Sequence, residues 1–278
     1  MSETTTSRAD RARPARPQAV LTVLRRERLS PHTVRITAGG PGFDALRTNE
    51  FTDKYAKVLF VDPALGLTPP YDLAALRESL PPDRQPVTRT YTLRRADPDG
   101  RELAIDFVVH GDEGIAAPWA ARAEPGDVLT MSGAGGAYRP DPGSDWHLLA
   151  GDESALPAIC SALEALPDDA RGLAYLETSD PGEYLDAKPP AGVEVVWLHR
   201  PHPGSQPGLL AGAVLAGPWL PGRADVFAHG ERESMKAVRA ALKTRLGDGD
   251  QLSLSGYWAA GRTEDVFQSE KRQPIGQI

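Results

Sequence analysis

The chain has 278 residues, an apolar share of 40%, a charged share of 25% and a formal net charge of −7. This is enough for two domains with ordinary cores, and the acidic balance disfavours nucleic acid as a general partner. A single cysteine, Cys160, excludes an internal disulfide and a cysteine-rich metal site. No apolar run reaches the ~18 residues that a membrane-spanning helix needs.

Residues 1–17 are rich in Ser, Thr, Arg and Pro. They lack an apolar core, so they predict a disordered tail and not a secretory signal. Arg8, Arg11, Arg13 and Arg16 read as solvated charges on it. A cytoplasmic monomer without membrane insertion is the resulting expectation.

Residues 18–140 carry short, strand-like apolar runs at 33–37, 55–60, 87–93, 103–109 and 128–131, separated by Pro and Gly. They predict an antiparallel β-barrel or sandwich with one short helix over 116–123. The Pro/Gly stretch 141–144 is the domain boundary. From 145 to 278 strands alternate with helices. Strands are expected at 147–150, 172–176, 193–198, 225–228 and 252–257, and helices over 155–166 and 234–246. This alternation predicts a parallel, helix-covered sheet. The whole reads as a β domain followed by an α/β domain.

Two stretches of the first domain carry chemistry. In Arg89-Thr90-Tyr91-Thr92, alternation along a strand sends Arg89 and Tyr91 to one face and Thr90 and Thr92 to the other. A guanidinium suits a pyrophosphate, an aromatic suits an isoalloxazine or ribityl group, and hydroxyls suit a flavin rim. The alternative is an ordinary strand with cross-strand pairs. In the second stretch Asp106, Phe107, Val108, Val109 and His110 end a strand. A turn from Gly111 to Gly114 follows, and Ile115, Ala116, Ala117, Pro118 and Trp119 open a helix. A glycine turn into a helix start presents free N–H groups to phosphate. His110 reads equally as a flavin contact or as a structural histidine.

These stretches, with Tyr55 to Phe60, Gly133 to Gly136, Trp146 to Ala158 and Gly256 to Asp265, resemble the siderophore-interacting protein family over residues 18–268. The resemblance implies a ferredoxin-reductase-like flavoenzyme: an FAD-binding barrel, an NAD(P)H-binding α/β domain, and reduction of a ferric siderophore. Related flavin reductases carry Ser or Thr where Ala117 stands, so the resemblance shifts phosphate binding to backbone amides and Arg89. It also places Gly151-Asp152-Glu153-Ser154, which follows the first α/β strand, between flavin and nicotinamide. Ser154 alternatively caps the next helix.

Gly133-Ala134-Gly135-Gly136 lacks the spacing of a dinucleotide fingerprint and reads as a tight turn between domains. On the nicotinamide side, Gly230 and Glu231 end a late strand, and Trp258 at the end of the last strand suits a place over the flavin. Glu177 suits an adenosine ribose and disfavours a 2′-phosphate, whereas Arg200 favours the phosphate. On the substrate side, Lys57 and Arg262 match basic positions of the family, with Arg139 as a weaker third. His199 and His202 lack a third ligand for a metal pair, and Cys160 lies on an apolar helix stripe. A generic flavin or quinone reductase and a non-catalytic siderophore carrier are the rival readings.

Overall fold

The computed structural model describes residues 17–109, 114–183, 186–201 and 208–278. The first sheet has seven strands: β1 (Gln18–Ser30), β2 (Thr33–Gly39), β3 (Tyr55–Phe60), β4 (Val87–Thr92), β5 (Arg95–Asp97), β6 (Glu102–Val108) and β7 (Val128–Gly135). Their order is β4-β3-β7-β1-β2-β6-β5, and every pairing is antiparallel. Alternate side chains turn inward, as a period of two demands. Ala19, Leu21 and Val23 of β1, Ile36 and Ala38 of β2, and Leu103, Ile105 and Phe107 of β6 form the core.

The sheet curls on itself. Tyr91 of β4 packs on Phe107 of β6 with ring centroids 4.3 Å apart, although the two strands are not neighbours in the sheet. Among the described residues, β4 keeps one backbone edge without a strand partner. Two helices belong to this half. In α1 (Leu73–Ser79), Asp72 accepts from the N–H groups of Ala74 and Ala75, satisfying two donors of the first turn. α2 (Ala116–Arg122) is the expected helix and buries Ala116, Pro118 and Ala120.

The second sheet is parallel, in the order β10-β9-β8-β11-β12. Its strands are β8 (Trp146–Gly151), β9 (Arg171–Thr178), β10 (Gly192–His199), β11 (Ala224–Glu231) and β12 (Gln251–Trp258). α3 (Leu156–Ala165) covers one face, where Ile159 and Leu163 meet Leu149 and Leu176. α4 (Leu209–Ala216) and α5 (Arg232–Leu242) cover the other, where Val214, Met235 and Val238 meet Leu148 and Val226. Strand order reverses between β8 and β11, which places a ligand crevice at the carboxyl ends of these strands. After β12, α6 (Glu264–Glu270) returns to β4.

Ion pairs made by two buried arginines tie the two sheets together. Arg35 of β2 donates to Asp186, beyond β9, at 2.5 Å. Arg94, which follows β4 and is fully buried, holds Glu164 of α3 at 2.5 and 2.8 Å. One expectation is corrected here. Gly133 to Gly135 are the end of β7 and not a turn. Gly135 lies opposite Tyr55 in register, and a Cβ on it would stand 2.3 Å from the Tyr55 ring, so close packing of ring on backbone requires the glycine.

Candidate cofactor and substrate site

The open edge of β4 is met by α6. The Thr90 N–H donates to both oxygens of Glu264, at 3.0 and 3.1 Å, and the Thr90 hydroxyl bonds the same carboxylate. Lys57, opposite Thr90 in register, donates to the Thr90 hydroxyl and lies 3.3 Å from Glu264. Arg89 donates to its neighbour's carbonyl, Thr88 O, at 2.9 Å and reaches Asp265 at 3.3 Å. Arg262 donates to Glu270 at 2.8 Å. Three carboxylates of one short helix thus face Lys57, Arg89 and Arg262. Lys271 adds a further cation, its ammonium held below the usual lysine range by burial and then by Lys57.

The second half of the site is organised by Asp152, just beyond β8. This carboxylate is buried and accepts four hydrogen bonds: Ser154 N–H at 2.9 Å, Ser154 Oγ at 2.5 Å, Glu231 N–H at 2.7 Å and Trp258 Nε1 at 2.8 Å. It thereby joins the ends of β8, β11 and β12. Burial pushes it up to about 6, against the hydrogen bonds from Ser154, Trp258 and Glu231. Gly230 is required beside it, because a Cβ there would stand 2.8 Å from the carboxylate. Next to Trp258, the Tyr257 ring meets His229 of β11 edge-on, with centroids 4.9 Å apart. The chain just beyond β12 reaches β4, where Glu264 of α6 accepts from the Thr90 N–H.

Residues 22–138 match the family model of a siderophore-interacting FAD-binding domain, and residues 144–261 match that of a siderophore-interacting protein. The chain belongs to the siderophore-interacting protein family. It is 33% identical to the ferric vibriobactin reductase ViuB of Vibrio cholerae, over 91% of this chain and 93% of that protein. It is 29% identical to an NADPH-dependent ferric-chelate reductase of Escherichia coli, over 86% and 92% of the two chains. The crystal structure of a siderophore utilization protein from T. fusca superposes with a TM-score of 0.74 at 36% identity, covering 88% of this chain and 94% of that one. More distant reductases share the ferredoxin-reductase-like fold.

The family implies FAD, and the β4 edge fits it. The Thr90 N–H has no strand partner and is met only by a side chain. Arg89 is held by a main-chain carbonyl and by Asp265, whose side chain is 74% exposed, so an anion displaces little to reach it.

Other residues from the sequence reading stand elsewhere or serve differently. Both oxygens of Asp106 accept from Arg35, at 2.6 and 2.7 Å, across the β2–β6 pairing, so this carboxylate braces the sheet. Ser154 does not cap α3, whose N-cap is Ala155; its hydroxyl turns back to Asp152. The Glu231 side chain is the N-cap of α5, accepting from Glu233 and Ser234 N–H at 2.6 and 2.9 Å, and it also accepts from Ala260 N–H. Tyr91 packs on Phe107 in the barrel. Thr92 is buried. Val108 ends β6 and pairs with Thr33. Gly114 has φ +79° just before Ala116 and Ala117. Arg139 pairs with Glu50 on the surface. His110 and His202 lie outside the described residues. The His199 Nδ1 meets the Thr178 hydroxyl at 3.0 Å. Among the described residues no group of three or more His, Cys, Asp or Glu could hold a metal ion, and no helix is long and apolar enough to cross a membrane. Glu264, Asp265 and Glu270 were missed by the sequence reading.

Proposed function

We propose that this protein is an FAD-dependent reductase that takes electrons from NADH or NADPH and delivers them to Fe(III) held by a siderophore, releasing Fe(II) in the cytoplasm. One observation carries the reading. The β4 edge, with Arg89 and Thr90, meets α6, the helix that follows β12, while Asp152 joins the carboxyl ends of β8, β11 and β12, and Lys57 and Arg262 meet carboxylates of the same α6, which Lys271 follows. The family match to an FAD-binding domain and the names of the two reductase relatives support it.

FAD, when bound, supplies acceptance of a hydride from a nicotinamide and release of single electrons to iron. Every other task falls to side chains and backbone. Arg89 neutralises the pyrophosphate, and the Thr90 N–H offers an edge hydrogen bond. Asp152 holds Trp258 and the Gly230–Glu231 backbone at the mouth where a nicotinamide docks. Lys57 and Arg262, with Lys271 behind them, attract an anionic ferric complex. One electron lowers the charge on iron and weakens its oxygen ligands, so no protein acid or base is required.

Trapping Fe(II) with a colorimetric chelator tests the reading. Flavin-loaded protein with NADH or NADPH and a ferric siderophore should give chelated Fe(II) in proportion to nucleotide oxidised. Binding of the siderophore without Fe(II) would leave the non-catalytic carrier as the better account.

A further inference from the structure

A buried charge cluster lies at the carboxyl ends of β9 and β10. Glu177 is the penultimate residue of β9, Glu153 follows β8, and Arg200 follows β10. Arg200 Nη1 donates to Glu177 Oε1 at 3.0 Å, and Nη2 donates to Glu153 Oε1. The same Glu153 oxygen accepts from the Ser179 N–H at 2.6 Å. Burial opposes the ionisation of Glu153, yet the hydrogen bond and charge of Arg200 hold its carboxyl below the usual range. Two carboxylates share one guanidinium, so the cluster is net anionic.

The Glu177 side chain leaves an acceptor over. The residue is only 6% exposed, and its Oε2 is buried with no hydrogen-bond partner. Buried polar atoms are nearly always paired, so an orphan acceptor beside a ligand crevice points to a donor that a ligand brings. β9 is the neighbour of β8, the first strand of the parallel sheet. In such sheets an acidic side chain at this strand end meets the vicinal hydroxyls of an adenosine ribose.

We infer that Glu177 is a specificity-determining residue that reads the adenosine ribose diol and makes this protein select NADH over NADPH. The inference rests on the reading that the α/β domain binds a nicotinamide nucleotide. A ribose hydroxyl donates to the free oxygen, whereas a 2′-phosphate has no proton to offer it and meets net negative charge. Arg200 does not rescue the phosphate. Its two terminal nitrogens are held by Glu177 and Glu153, and drawing it away would strand two buried carboxylates. Among the described residues, two neighbouring histidines are already engaged. His199 is paired with Thr178, and His32 lies 3.7 Å from Asp180.

The test measures flavin reduction by NADH and by NADPH in the FAD-loaded protein, wild type and Glu177→Gln. The wild type should prefer NADH in kcat/KM by about 10- to 100-fold, the worth of one hydrogen bond to a charged group. Glu177→Gln should erase most of that preference through KM, leaving the rate at saturating NADH unchanged, which separates ribose reading from a general loss of structure. A measurement on the wild type alone guards against misfolding of the variant. Adenosine 5′-monophosphate should displace NADH at lower concentration than adenosine 2′,5′-bisphosphate. Equal or better use of NADPH, or an unchanged preference in a folded Glu177→Gln protein, would overturn the inference and leave the nicotinamide reading standing. If neither nucleotide reduces the flavin while dithionite does, the nicotinamide reading fails, and the inference fails with it.

Discussion

Replacing Asp152 by alanine removes the acceptor that joins three strand ends. The Ser154 and Glu231 N–H groups then lose their partner in a buried place, while the indole of Trp258, which is 42% exposed, turns to water. Two unsatisfied backbone donors cost roughly 2–6 kcal/mol together. Part of this is offset at neutral pH, because the wild type carries an ionised buried carboxyl whose pKa is raised from 3.8 to about 6. A group raised in the folded state adds stability below its unfolded pKa, and that stability is lost as pH rises through the folded one. The wild type therefore gains about 2 kcal/mol at around pH 4.5, relative to neutral pH, that Asp152→Ala cannot gain. Urea unfolding of both proteins at about pH 4.5 and 7.5 measures the gap. It should widen by about 2 kcal/mol on acidification. A gap that stays constant or narrows would mean that burial does not raise the Asp152 carboxyl, and that its four hydrogen bonds dominate instead.

Arg89→Ala should fold and should lose FAD on gel filtration, because one charged hydrogen-bond set is worth roughly 1.5–3 kcal/mol, or about 10- to 100-fold in Kd; full retention of flavin would remove Arg89 from the pyrophosphate site. Glu264→Gln should bind FAD more tightly by fluorescence titration, since the carboxylate that competes for Thr90 N–H and Lys57 loses its charge; unchanged affinity would mean that α6 and the cofactor occupy different places. Lys57→Ala should slow reoxidation of reduced flavin by an anionic ferric siderophore more than by a neutral one, and added salt should shrink the difference. Slowed reduction by nucleotide with intact reoxidation would move Lys57 to the nucleotide side.

The sheets were legible in the sequence because their side chains repeat with a clear period. Val34 and Ile36 alternate with more polar neighbours, and Met235, Val238 and Leu242 recur at helical spacing, so strand and helix types followed from the period. The helices that escaped lack this contrast. α4 is apolar all round, so no face stands out, and α1 is a seven-residue helix with no buried residue. α6 did carry a signal: Thr263 caps it, with Glu264 and Asp265 in the first turn. Its contact with β4 had none, because a helix some 170 residues along the chain is placed by topology and not by local pattern. The same limit explains Asp106 and Glu231. Both sit where a cofactor residue was expected, yet each carboxylate is held by a partner that only the folded chain supplies, Arg35 across a sheet and the first turn of α5.

The central claim joins two half-reactions on one bound flavin, and anaerobic stopped-flow absorbance follows both in one experiment. FAD-loaded protein mixed with NADH or NADPH should lose its flavin absorbance. A second mixing with a ferric siderophore should restore it, with two equivalents of Fe(II) for each flavin reoxidised. A flavin that is reduced by nucleotide but stays reduced in the presence of excess ferric siderophore would contradict the account and leave a flavin reductase with another electron acceptor.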